Sequence, residues 1–323
     1  MADLQRPPWT ATEPPATAAN GFGERVAHAV ARRTSQLVLG LDPDPSKLWP
    51  RALELAERSD GTPAMRAARA VSAHCALAIE ATAEHCVAIK PQVACFERLG
   101  APGWTALQEV IDRAREHDLL VIADAKRGDI DVSAAAYAQA FFGQTDTPFG
   151  PVNGLGADAL TVNPLLGADA LAPLLRRARE RSGGLFVLVR TSNPGAADVQ
   201  ERPLADGGTV SELLADLVAR LGTPAVGASG LSDVGAVVGA TAPGRLQTLR
   251  ERMPHAVFLL PGVGAQGGRV EDLAAAFAPG PAGGLVSVSR ALAGAHEGTG
   301  GDPAAAAAAE AQRLRGLAWE LTT

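Results

Sequence analysis

Leu119-Leu120-Val121-Ile122-Ala123-Asp124-Ala125-Lys126-Arg127-Gly128-Asp129-Ile130 is an apolar run that ends abruptly in two carboxylates interleaved with a lysine. A short, partly β-branched apolar run of this kind predicts a strand over 119–124. Strand side chains alternate with period two, so Asp124 and Lys126 are expected on one face at its carboxyl end while Ala125 points away. Gly128 is expected to turn the chain before Asp129. Charges grouped where a buried strand ends are costly unless they serve a site. In a parallel barrel, that end is where the chemistry is kept.

Seven more runs of this type occur, over 36–42, 86–91, 159–163, 185–190, 234–240, 256–261 and 284–289, which makes eight with the first. Helix-like segments lie between most of them, at 63–83, 104–117, 132–142, 168–181, 210–221 and 270–277. Alternation of this kind predicts a parallel sheet with helices outside, and eight strands predict an α/β TIM (β/α)8 barrel in a single domain. The weakest strand is 234–240, because its glycines depress strand propensity. The alanine-rich stretch 303–320 reads as a closing helix. Residues 1–20, rich in Pro, Thr and Ala without apolar periodicity, read as a flexible leader to a domain over 21–323. Two Pro/Gly-rich stretches, 144–157 and 192–208, are longer than most connections in such folds. The first precedes a strand and belongs at the barrel's stable face; the second follows the fifth strand and is a candidate lid over the site.

Composition excludes several classes of function. A net charge of −6 with both signs mixed along the chain gives no basic stripe for nucleic acid. The start of the chain lacks the order of a signal peptide, and no apolar stretch approaches the roughly 18 residues of a membrane span. Three cysteines, Cys75, Cys86 and Cys95, lie in apolar surroundings and read as reduced thiols, which points to the cytoplasm.

The residues expected at successive strand ends are Asp42, Lys90, Asp124 with Lys126, Asn163, Ser192, Gln266 and Arg290. Each alone has a plain explanation: Asp42 as a turn residue, Lys90 snorkelling, Ser192 opening a loop. Their shared position on consecutive strands is what independent turn residues would not produce. Pro261-Gly-Val-Gly-Ala-Gln266-Gly-Gly268 follows the seventh strand, where this fold frequently holds phosphate, and offers backbone N–H groups to an anion. It contains GxGxxG, yet it comes late in the chain and the next strand ends in Ser289-Arg290 with no acidic ribose-binding residue, against a dinucleotide site. Arg290 instead supplies a forked cation for phosphate oxygens. No histidine sits at a strand end, and lysines among the carboxylates oppose a divalent cation, so no metal is expected.

Asp124-Ala-Lys126-Arg-Gly-Asp129-Ile130 resembles the DxKxxD motif of orotidine 5'-phosphate decarboxylases. Leu41-Asp42-Pro-Asp-Pro45, Ile89-Lys90-Pro-Gln-Val-Ala94, Thr161-Val-Asn-Pro164, Thr191-Ser-Asn-Pro-Gly-Ala196, the 261–268 loop and Ser289-Arg290 follow in that family's order. The resemblance spans roughly 25–295 and is closest to a longer bacterial branch with Lys-Arg-Gly inside the central motif. It implies a homodimeric TIM barrel that turns orotidine 5'-phosphate into uridine 5'-phosphate and CO2 with no cofactor. Carried over, Lys90, Asp124, Lys126 and Asp129 form a charged tetrad, with Asp129 reaching into the partner subunit's site. Asp42 would bind ribose hydroxyls, Ser192 the pyrimidine amide edge, and Gln266 with Arg290 the phosphate, beside Pro261. Ile130 would pack near the base from across the interface. Ser133 stands where relatives usually carry threonine, and Leu165 where many carry an aromatic residue. Two other readings compete. A Mg2+-dependent sugar-phosphate decarboxylase or aldolase would want a carboxylate where Lys90 stands. A non-catalytic nucleotide-binding barrel would leave the tetrad without purpose.

Overall fold

The computed structural model describes residues 21–57, 60–297 and 300–322, and the leader expected over 1–20 lies outside them. Eight parallel strands close into a barrel: β1 (Leu37–Leu41), β2 (Ala88–Pro91), β3 (Leu120–Arg127), β6 (Ala159–Val162), β7 (Gly184–Arg190), β8 (Val234–Val238), β9 (Phe258–Pro261) and β10 (Gly284–Val288). Each falls within or beside a run expected from sequence. Inserted between β3 and β6 is a small antiparallel hairpin, β4 (Gln144–Thr145) with β5 (Val152–Asn153), inside the stretch read as a loop. The helices Pro63–Thr82, Ala101–Glu116, Asp131–Phe142, Ala168–Glu180, Val210–Gly222 and Pro303–Glu320 form where their patterns predict. Val270–Phe277 winds as a 3₁₀ helix instead of an α-helix.

Period two divides the apolar residues into two cores. Leu37, Leu39, Ile89, Val121, Ala123, Leu160, Val162, Leu185, Val187, Val286 and Val288 face the surrounding helices. Val38, Ala88, Leu120, Ile122, Ala159, Phe186, Val237, Leu259 and Leu285 fill the barrel, whose base is closed by the helix Phe22–Arg33 with Phe22 edge-on to Phe186 at 5.8 Å. β8 forms in spite of its glycines for a local reason. A Cβ on Gly235 would meet Val257 O at 2.5 Å and the Phe186 ring at 2.7 Å, so the residue admits an aromatic ring inside the barrel.

The central motif departs from the expected geometry in two ways. β3 does not stop at Asp124; it runs on to Arg127 through a register shift against β6, from Ala123↔Leu160 to Arg127↔Val162. The left-handed residues are Lys126 (φ 48°) and Asp131 (φ 45°), not Gly128. Gly128 is needed for close approach, since a Cβ there would lie 2.8 Å from Asn163 O.

The loop after β1, which carries Asp42, is pinned by Trp49. Its indole Nε1–H donates to Ala293 O at 2.8 Å, and its backbone N–H donates to Nδ1 of buried His74 at 3.2 Å. Burial, then nearby His296, pushes the His74 pKa down to about 4. The folded chain therefore holds His74 neutral while the unfolded chain takes up a proton near pH 6.5, so stability is lost as pH falls from about 6.5 to about 4. Over that window the wild type should lose on the order of 3 kcal/mol that a His74→Asn variant does not lose, read from urea midpoints at successive pH values. Parallel pH dependence in the two proteins would rule this out.

Candidate active site

The barrel's inward positions turn polar on neighbouring strands at the carboxyl end. Lys90 on β2, Asp124 on β3 and Thr161 on β6 point inward toward the carboxyl ends of their strands, and all three are buried. They line a cavity of about 390 Å³ together with Asp42, Gln92, Lys126, Ser192, Pro261, Gln266, Ser289 and Arg290, and with apolar walls from Leu188, Val237 and Leu259. That volume suits a small-molecule site.

Charges of alternating sign cross the cavity. Asp42 Oδ1 lies 4.0 Å from Lys90 Nζ, which donates to Asp124 Oδ2 at 2.7 Å; Lys126 Nζ donates to Asp124 Oδ1 at 2.6 Å. Gln92 Nε2 donates to Oδ2 at 3.3 Å and Thr161 Oγ1 to Oδ1 at 2.9 Å, so each oxygen of the carboxylate has two donors. Burial alone would raise the Asp124 pKa, but the Lys90 and Lys126 ammoniums outweigh it and hold the carboxyl well below the usual range. For Lys90 burial works downward, and Asp124 followed by Asp42 more than offsets it, leaving the pKa above its ordinary value. Both groups therefore stay ionised at neutral pH. Lys126 differs from Lys90 in access: its side chain is 45% exposed to the cavity mouth, against 7% for Lys90.

Arg290, which follows β10 and lines the same cavity, has no ion-pair partner among the described residues, so its guanidinium is available to an anion. The 261–268 loop is less open than its glycines imply. The N–H groups of Gly264, Gly267 and Gly268 donate to Gly268 O, Gly264 O and Gly262 O within the loop, so they are not free for an anion as expected. Gln266 from this loop lines the cavity together with Arg290, Ser192 and Ser289.

The stretch over 192–208 has fixed feet. Gln200 Oε1 accepts from Thr191 N–H at 2.8 Å, and Arg190 Nε donates to Glu201 Oε1 at 2.7 Å, while Glu201 also pairs with Arg245. Ser192 lies between these ties, with its carbonyl accepting from Thr241 Oγ1 at 3.0 Å.

Asp129, Ile130 and Ser133 do not line this cavity. Asp129 Oδ1 accepts from the N–H of Ile130 at 2.8 Å, on a loop outside the mouth. Around it lies an apolar rim in which Ile130 is 52%, Val132 82%, Leu165 80% and Leu166 51% exposed. Sequence reading overlooked Thr161 and Gln92 as polar groups of the site. Alternation in Ala159-Leu160-Thr161-Val162 already places Thr161 inward, so that signal was present.

Residues 35–309 match the model of the family described as Orotidine 5'-phosphate decarboxylase / HUMPS family. The chain belongs to that family. A curated orotidine 5'-phosphate decarboxylase of Deinococcus radiodurans is 42% identical over 278 residues, covering 84% of this chain and 88% of that protein. One from Rhodopirellula baltica is 41% identical over 279 residues, covering 85% and 89%. Among solved structures, the OMP decarboxylase of Leishmania donovani superposes with a TM-score of 0.69 at 32% identity, covering 92% of this chain and 99% of that one. The family's members thus share this chain's barrel over nearly its whole described length.

Proposed function

We propose that this chain decarboxylates orotidine 5'-phosphate to uridine 5'-phosphate, the last step of de novo UMP synthesis, without a cofactor. One observation carries the reading: alternating charges, Asp42, Lys90, Asp124 and Lys126, line one cavity with Arg290, an arginine that has no ion-pair partner among the described residues. Loss of CO2 from C6 leaves an electron pair in the plane of the pyrimidine ring, where the π system cannot take it up. Stabilisation must then be electrostatic, and a fixed ammonium supplies it. The C6–carboxyl bond breaks, the pair stays on C6, and Lys126 Nζ delivers the proton before recovering one from solvent. Asp124 keeps Lys126 charged and aimed, and its own charge opposes the substrate carboxylate until CO2 departs. Arg290 and Gln266 hold the phosphate, Asp42 the ribose hydroxyls, and Ser192 the amide edge of the base beside Pro261.

In this reading Asp129 completes the tetrad in the partner subunit's site, with Ile130 packing near the base and Ser133 beside it. The exposed rim of Ile130, Val132, Leu165 and Leu166 supports a homodimer, because a second copy would cover it. Residues 21–323 form the working unit, and the three free thiols fit the cytoplasm. Each cavity carboxylate is already met by an ammonium, which disfavours the Mg2+-dependent sugar-phosphate alternative.

Proton NMR of the product formed in D2O with EDTA present tests this route. Uridine 5'-phosphate carrying deuterium at C6 is expected. Product that carries protium at C6, or turnover that the chelator stops, would overturn it.

A further inference from the structure

We propose that Thr161 is the positioning residue that sets the Asp124–Lys126 pair, an inference that rests on the decarboxylase reading of the site. Strand alternation alone would leave Asp124 and Lys126 side by side, roughly 7 Å apart along β3. The chain does something else. Three residues of β3, namely Asp124, Ala125 and Lys126, stand opposite the single residue Thr161 of β6, because the pairing passes from Ala123↔Leu160 to Arg127↔Val162. Lys126 takes up the excess by entering the left-handed region at φ 48°, a conformation a side-chain-bearing residue keeps only when its surroundings hold it.

Thr161 is what holds it. Its Oγ1 accepts the Lys126 backbone N–H at 3.0 Å, a group that the register shift takes out of the strand ladder, and donates to Asp124 Oδ1 at 2.9 Å. One hydroxyl, 1% exposed, therefore fixes the backbone of the proton donor and the carboxylate that aims it. Its importance grows during turnover. Lys126 Nζ and Thr161 Oγ1 are the two donors on Asp124 Oδ1, so when the ammonium swings toward C6 only the threonine remains to keep that oxygen in place. A threonine serving packing alone would need neither partner.

Thr161→Val keeps the shape and removes the hydroxyl, and Thr161→Ser restores it. For folded protein, verified by circular dichroism and thermal unfolding, kcat of Thr161→Val should fall about 10- to 100-fold with KM within about threefold of wild type. Thr161→Ser should return kcat to within about threefold. Thr161→Ala serves the same comparison if the valine chain does not fold. A valine or alanine variant with unaltered kcat, or a serine variant as slow as valine, would overturn the proposal. The wild-type arm reports on the decarboxylase reading by itself. Should it show no turnover, a crystal structure of Thr161→Val still decides the positioning role: Lys126 is expected to leave the left-handed region and its Nζ to part from Asp124, and unchanged geometry would refute it.

Discussion

Replacing Lys126 by alanine is expected to lower kcat by about 10⁴-fold or more while the melting temperature moves by only a few degrees. Loss of turnover follows because no other ammonium in the cavity is free to move. Lys90 is buried, with its Nζ 2.7 Å from Asp124 and 4.0 Å from Asp42, whereas Lys126 is the half-exposed cation at the mouth. Stability is preserved for the same reason. Removing Lys126 leaves Asp124 paired with Lys90 and bonded by Gln92 and Thr161, so no buried charge is orphaned. Arginine at this position should not rescue, since a guanidinium does not give up a proton in this pH range. Binding of uridine 5'-phosphate, measured by calorimetry, should survive within about tenfold, because the substitution leaves in place the groups proposed to hold phosphate and ribose, Arg290, Gln266 and Asp42. A Lys126→Ala protein retaining wild-type kcat would remove the basis of the mechanism.

Asp129→Ala is expected to cost a comparable factor, on the order of 10³ to 10⁴ in kcat, although the residue lies outside the cavity of its own chain. The decisive experiment mixes it with Lys126→Ala after dissociation and reassociation. In the proposed dimer, a mixed pair would hold one site lacking both residues and one site with Lys126 from one chain and Asp129 from the other. Half of random dimers are mixed and half of their sites are whole, so about a quarter of wild-type activity should return. Two inactive parents that stay inactive when shown to exchange subunits would place Asp129 in its own subunit's chemistry or in none. The exposed Ile130 and Val132 flanking Asp129 are the physical reason to expect a second chain there.

The barrel was legible because its strands carry two superposed signals: apolar length, and polar termini at one end. Even β8 was recoverable, although the role of Gly235, admitting the Phe186 ring, depends on a neighbour that is remote in sequence. Strand-end reading gathered Asp42, Lys90, Asp124, Lys126, Ser192, Gln266 and Arg290 because period two and strand order together dictate which residues meet; Asn163, expected with them, does not line the cavity, and its Oδ1 accepts from the Leu165 N–H at 3.1 Å. It failed where backbone geometry departs from the ideal. The register shift that carries β3 past Asp124 and turns Lys126 left-handed leaves no mark in composition, and Gly128 drew attention to the wrong position. Hydrogen bonds closed within the 261–268 loop were likewise invisible, since a glycine-rich stretch reads the same whether its amides are free or spent. Thr161 was overlooked for a different reason: a threonine on a strand is ordinary, and only its two partners make it notable.

The most direct test is the ultraviolet absorbance of orotidine 5'-phosphate on mixing with purified protein in EDTA, run beside Lys126→Ala. Chelator-resistant conversion to uridine 5'-phosphate by the wild type, lost in the variant, is the predicted result. Folded wild-type protein that binds the nucleotide and leaves its absorbance unchanged would contradict the account.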